Sequence, residues 1–182
     1  VNGIFDLSCV SRLKNILQGE FSMAEGNIEQ RLAELGIELP PAFSAPPGMN
    51  FISAVQAGDL LFLAGHGPTG PDGRLAYRGQ VGKEVSVEDA YKAARLTGLN
   101  LLATMKSQLG SLDRVAKLVK VLGMVNAVEG FGQQPQVING ASDLFVEVFG
   151  EQIGKHARSA VGMGSLPNNM PVEIEMIVQI KS

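Results

Sequence analysis

The 182-residue sequence has no tryptophan, one cysteine, two histidines and two tyrosines. The lone thiol, Cys9, has no internal partner, so no intrachain disulfide can brace the fold. This fits a reducing compartment and gives the expectation of a cytoplasmic protein. His66 and His156 with one distant thiol are a poor ligand inventory, so no metal is expected. No apolar run approaches the ~18 residues of a membrane span, so no membrane partner is expected. The chain carries 15 Lys+Arg against 18 Asp+Glu, a formal net charge of −3. With no basic stripe either, the charge argues against a nucleic-acid partner. There is no Walker loop, no Gly-x-Gly-x-x-Gly opening a helix and no Gly-x-Ser-x-Gly elbow.

What is present is core-forming material. Hydrophobic residues make up 45% of the chain, enough for one domain to bury a core without disulfides or metal. The 22 glycines follow no period and point to tight turns and close backbone approaches. Residues 1–22 read as vector-derived or as an upstream extension ahead of Met23, with a short amphipathic interaction helix as the functional alternative. Residues 23–49 read as a short helix over Ile28–Leu35, capped by Asn27 and stopped by Gly36, then a stiff connector through Pro40-Pro41 and Pro46-Pro47. Residues 50–182 read as the domain proper.

Within that domain, Phe51–Gln56 and Leu60–Ala64 flank Ala57-Gly58-Asp59 as a hairpin. Ser86, followed by Glu88 and Asp89, caps a long helix that Gly110 closes. Val115–Val125 reads as an internal strand. A second helix starts at Pro135 and runs to Gly150. Ala157–Met163 and Val172–Ile180 are the last strands; the latter turns Val172, Ile174, Met176, Val178 and Ile180 one way and Glu173 and Glu175 the other. The order ββ-α-β-α-ββ predicts an α+β fold, one mixed sheet backed by two helices. Its second face is best covered by another copy of the chain, in a closed ring.

Three features carry candidate chemistry. Arg158 stands at the start of an apolar strand, where its charge needs a partner. Its planar fork suits a carboxylate ligand, and a structural salt bridge to Glu173 or Glu175 is the competing reading. Glu173, flanked by apolar residues, is placed to hold or activate water, or simply lies on a wet face. Gly65 lets backbone approach a ligand, and His66 beside it is a possible proton carrier or only part of a strand terminator.

Together these residues resemble a known family. Ala157-Arg158-Ser159-Ala160-Val161, then Leu166-Pro167, then Val172-Glu173-Ile174-Glu175 is similar to the signature of the RidA/YjgF family, once labelled endoribonuclease L-PSP. Gly58-Asp59-Leu60-Leu61-Phe62-Leu63-Ala64-Gly65 resembles its N-terminal hairpin, and Val137-Ile138-Asn139 the opening of its second helix. The resemblance covers about residues 50–180. It implies a chorismate-mutase-like homotrimer with a barrel core and a pocket at each subunit interface. Active members hydrolyse enamines and imines such as 2-aminoacrylate to a 2-oxo acid and ammonia, with no metal or organic cofactor. Carried over, Arg158 would bind the substrate carboxylate and Glu173 would position the attacking water. Gly65 and Asn139 would help hold substrate, beside Phe51 and His66.

The departures are specific. Phe51 replaces a tyrosine, Ala64 a serine, His66 a glutamine and Ala160 a cysteine, so a thiol-dependent step has no support. A longer loop precedes Asn139. A non-catalytic trimer that binds or senses 2-oxo acids is the alternative, and the older ribonuclease or translation-inhibitor label is a third reading.

Overall fold

Alternating strands build a five-stranded sheet in the computed structural model, which describes residues 28–45 and 48–181. In chain order the elements are helix α1 (Ile28–Glu34), strands β1 (Ala54–Ala57) and β2 (Leu60–His66), and helix α2 (Val87–Leu109). Strand β3 (Val115–Asn126), helix α3 (Gln134–Gly154) and strands β4 (Ala157–Met163) and β5 (Val172–Ile180) follow. From β1 onward this is the expected ββ-α-β-α-ββ order of an α+β fold. The strands lie in the order β1-β2-β5-β3-β4. Neighbours are antiparallel except β3 and β4, which are parallel because α3 carries the chain back between them.

Local chemistry explains the helices. The Ser86 hydroxyl accepts the Asp89 N–H at 3.0 Å, satisfying one free donor of the first turn of α2, and Gly110 closes that helix at φ 79°. Ala90, Ala94, Leu101 and Met105 are fully buried against the sheet or against α3. The two long helices approach so closely that a Cβ on Gly140 would overlap the Tyr91 carbonyl. On the sheet, Leu61, Leu63, Val121, Val125 and the five alternate apolar residues of β5 form the covered face. α1 docks on the same core through Leu32, and the turn after it is closed by Gly36 at φ 64°. Asn27, its expected cap, lies outside the described residues, as do residues 1–22.

Three boundaries differ from the sequence reading by two residues or more. β1 begins at Ala54, leaving Phe51 in an exposed approach to the strand. β2 runs on past Ala64 to His66 because a bulge between Leu63 and His66 preserves its pairing with β5. α3 runs on to Gly154 across a break at Gly150, whose φ of 72° interrupts the helical backbone. No helix among the described residues is long and apolar enough to cross a membrane.

The other face of the sheet carries Glu173 and Glu175 with a partly apolar surround. Val55 and Phe62 are paired across the hairpin there, and Val161 and Met163 of β4 are also exposed. Neither helix α2 nor α3 covers this face.

Candidate active site

Glu173 reaches the open face because β5 alternates strictly: Val172 and Ile174 on either side of it are fully buried. Its Cα partner on β3 is Met124. Gly65 lies beside it, and any Cβ there would overlap the Glu173 Oε1. The close approach anticipated for Gly65 is therefore an approach to the carboxylate. Among the described residues this carboxylate has neither a hydrogen-bond donor nor an ion-pair partner. Partial burial pushes its pKa above the ordinary carboxylate range, and the Glu175 charge pushes the same way. A carboxyl so placed is a stronger base than a free one and can exchange a proton with water nearer neutral pH.

Arg158 stands on the other side of the sheet. Its partner in the parallel ladder is Val121, which is fully buried under the helices, so the arginine leaves β4 on the helix side. There Nη1 donates to Asn139 Oδ1 at 2.8 Å and to Ser142 Oγ at 3.0 Å. Asn139 and Ser142 are three residues apart on α3 and share a helix face. Arg158 forms no ion pair among the described residues, so the salt bridge to Glu173 or Glu175 is not what anchors it. With Nη1 committed twice, the Nε/Nη2 edge is left as the fork for a ligand carboxylate. Among the described residues the Nδ2 donors of Asn139 are likewise unused.

The structure thus groups the expected residues in two pairs. Gly65 and Glu173 meet on the open face, and Asn139 and Arg158 meet at the helix side of β4, an edge strand. β3 separates β4 from β5, so two inter-strand spacings, about 10 Å, part the pairs laterally even before their opposite facing is counted.

His66 joins neither pair. The bulge turns it into the covered face, where it is buried, with Nε2 2.8 Å from Thr104 Oγ1 of α2 and Nδ1 2.7 Å from the Ala64 carbonyl. Burial holds its pKa below the usual histidine value, against the opposing pull of the Ala64 carbonyl. Phe51 also stands apart: it stacks on Phe43 at 6.4 Å between ring centroids, and Phe43 meets the His66 ring edge-on at 5.7 Å. Ser142 is the residue that sequence reasoning passed over. Its spacing from Asn139 was the available signal.

This arrangement occurs on a known scaffold. Residues 29–179 match the family described as "YjgF/chorismate mutase-like, putative endoribonuclease". Protein TCP17 of Trypanosoma cruzi is 39% identical over 160 residues, covering 88% of this chain and 98% of the relative. Among solved structures, protein Atu1372 of Agrobacterium tumefaciens, of unknown function, is 44% identical with a TM-score of 0.77; the match covers 85% of this chain and 92% of that one. A "putative endoribonuclease" of Shewanella oneidensis is 31% identical with a TM-score of 0.78, covering 85% of this chain and 100% of that one. The signature around Arg158 and Glu173, the ββ-α-β-α-ββ fold and these matches agree: the chain belongs to the YjgF (Rid) family.

Proposed function

We propose that the protein hydrolyses small carboxylate-bearing enamines and imines to 2-oxo acids and ammonia. The observation that carries the reading is Arg158: a guanidinium anchored at one nitrogen, with its two-nitrogen edge free, in a family whose signature includes Glu173. In the reaction, Arg158 takes the substrate carboxylate by its Nε/Nη2 edge. An enamine tautomerises to the imine, whose carbon is electrophilic. Glu173 orients a water, accepts one of its protons as the C–O bond forms and passes it to nitrogen. The remaining hydroxyl proton of the carbinolamine follows to nitrogen by the same carboxylate as C=O forms and the C–N bond breaks. Water and imine give 2-oxo acid and ammonia, with nothing oxidised or reduced. Orientation of two small reactants can supply several kcal/mol of such a barrier.

Because the two residues face apart in one protomer, the reading requires a second copy. Three subunits closing their open faces into a barrel would bring the β4 edge of one against the Gly65–Glu173 surface of the next. Val55, Phe62, Val161 and Met163, exposed on that face, support it.

Freshly generated imino acids, with 2-oxo-acid release followed by coupled reduction, test the proposal. Arg158→Ala should lower kcat/KM by about a hundredfold, the loss of a charge-assisted bidentate bond worth ~3 kcal/mol. No rate above the spontaneous reaction for any imine, with Arg158→Ala indistinguishable from wild type, would sink the idea. The replacements Phe51, Ala64 and Ala160 favour a second reading, a binding protein for 2-oxo acids. It would be supported by bound carboxylates alongside an inert assay. Cleavage of RNA that survives Glu173→Gln would instead favour the ribonuclease named in the family description.

A further inference from the structure

Arg158 is joined to a histidine that the carboxylate-binding reading does not use. Nη1 donates to Ser142 Oγ, and that oxygen lies 3.1 Å from His156 Nε2. On the far side of the ring, Nδ1 lies 2.7 Å from the Gly154 carbonyl. Gly154 is the last residue of α3, where carbonyls lack helical partners. A carbonyl can only accept, so Nδ1 carries the proton and Nε2 presents its lone pair. The Ser142 hydroxyl then donates to Nε2, and its own lone pair receives the arginine N–H. Donation runs one way, from Arg158 through Ser142 and His156 to the end of α3.

The surroundings keep the ring in that state. Phe145 packs edge-on against it at 5.8 Å. Burial is the main cause that holds the His156 pKa below its ordinary value; the Gly154 carbonyl opposes it, and the charges of Arg158 and Lys117 add to the lowering. A neutral ring is the form that can accept from Ser142.

We propose that Ser142 and His156 are positioning residues: together with Asn139 they hold both Nη1 protons of Arg158, so that the Nε/Nη2 edge is presented in one orientation to a 2-oxo or 2-imino carboxylate. An arginine side chain has many rotamers, and a fork fixed before binding loses less entropy on meeting its ligand. The proposal rests on the carboxylate-binding reading of Arg158 and adds the residues that make that arginine selective for a planar, two-oxygen acceptor.

The test uses pyruvate as probe, with wild type, Ser142→Ala, His156→Phe, His156→Gln and Arg158→Ala compared by calorimetry. The same proteins are followed by 15N NMR of the arginine and histidine side chains. Arg158→Ala should abolish pyruvate binding. Ser142→Ala and His156→Phe should weaken it about tenfold, the worth of one charge-assisted hydrogen bond. His156→Gln, whose amide oxygen can replace Nε2 as acceptor, should retain most of the affinity. Without ligand, wild type should show His156 as the Nδ1–H tautomer and slowly rotating Arg158 Nη1 protons, and rotation should quicken in Ser142→Ala and His156→Phe. An Nε2–H tautomer, or unchanged Arg158 rotation with unchanged pyruvate affinity in both variants, overturns the proposal. If wild type does not bind pyruvate, the carboxylate-binding reading fails, and the arginine spectra alone still decide whether the relay holds the fork.

Discussion

Glu173 carries a conflict that a single substitution can expose. Its carboxyl is pushed up by burial and by Glu175, so ionising it in the folded protein costs more than in the unfolded chain. The folded state therefore favours the protonated form. Any stability this gives is complete below the ordinary glutamate pKa and is lost as pH rises through the higher folded value. Glu173→Gln removes that loss. We expect its thermal midpoint to exceed that of wild type at pH 7 and to converge with it at pH 4, while the proposed imine hydrolysis falls to background. An equal shift at both pH values would show that the charge is not the cause. Gly65 belongs to the same conflict, because the backbone is the only group that fits beneath the carboxylate. Its glycine was legible in the sequence as a close approach; that it approaches a side chain of this protein needed the pairing of β2 with β5.

The bulge in β2 is the element on which the site turns. Leu63 pairs with Met176 and His66 with Ile174, three residues of advance on one strand against two on the other. Plain alternation from Leu61 and Leu63 would bury Gly65 and expose His66. The extra residue reverses both, so His66 is a bracket beneath the sheet. Thr104 holds that bracket. Thr104→Val keeps the shape but leaves Nε2 of His66 without its partner, and should cost about 1–3 kcal/mol in urea unfolding. It should also lower turnover, because Gly65 is one of the two residues inside the bulge; unchanged turnover would detach the bracket from the site. Other elements were plain in the sequence for equally local reasons. Ser86 with Asp89, Pro135, and the apolar alternation of Val172–Ile180 each fix their element through neighbours in the chain. Register and bulges depend on the partner strand, and α3 outlasts Gly150 because the turn after it continues to Gly154. For the same reason the sequence could set Glu173 opposite the apolar face of its strand but could not tell which face of the sheet Arg158 takes.

At the scale of the whole molecule, the opposite facing of Arg158 and Glu173 makes a prediction about subunits. If each site draws its arginine from one copy and its glutamate from the next, Arg158→Ala and Glu173→Gln each leave about a hundredth of the activity or less when alone. Unfolded together at equal amounts and refolded, they should regain about a quarter of wild-type activity, the share of junctions that receive both intact residues by chance. No recovery, although light scattering shows mixed assemblies, would place the whole site within one protomer. The bulge also bears on how this molecule can change its length. Between Leu63 and His66 the chain counts odd against even, and deleting one residue would restore the even count. Without Ala64, the residues Leu63, Gly65 and His66 would alternate in, out, in, and the glycine would stay beneath the carboxylate; without Gly65, the Ala64 methyl would take the gap that the carboxylate occupies. The bulge is thus a point where β2 can lose a residue without turning over, so length here is held less tightly than the glycine at position 65.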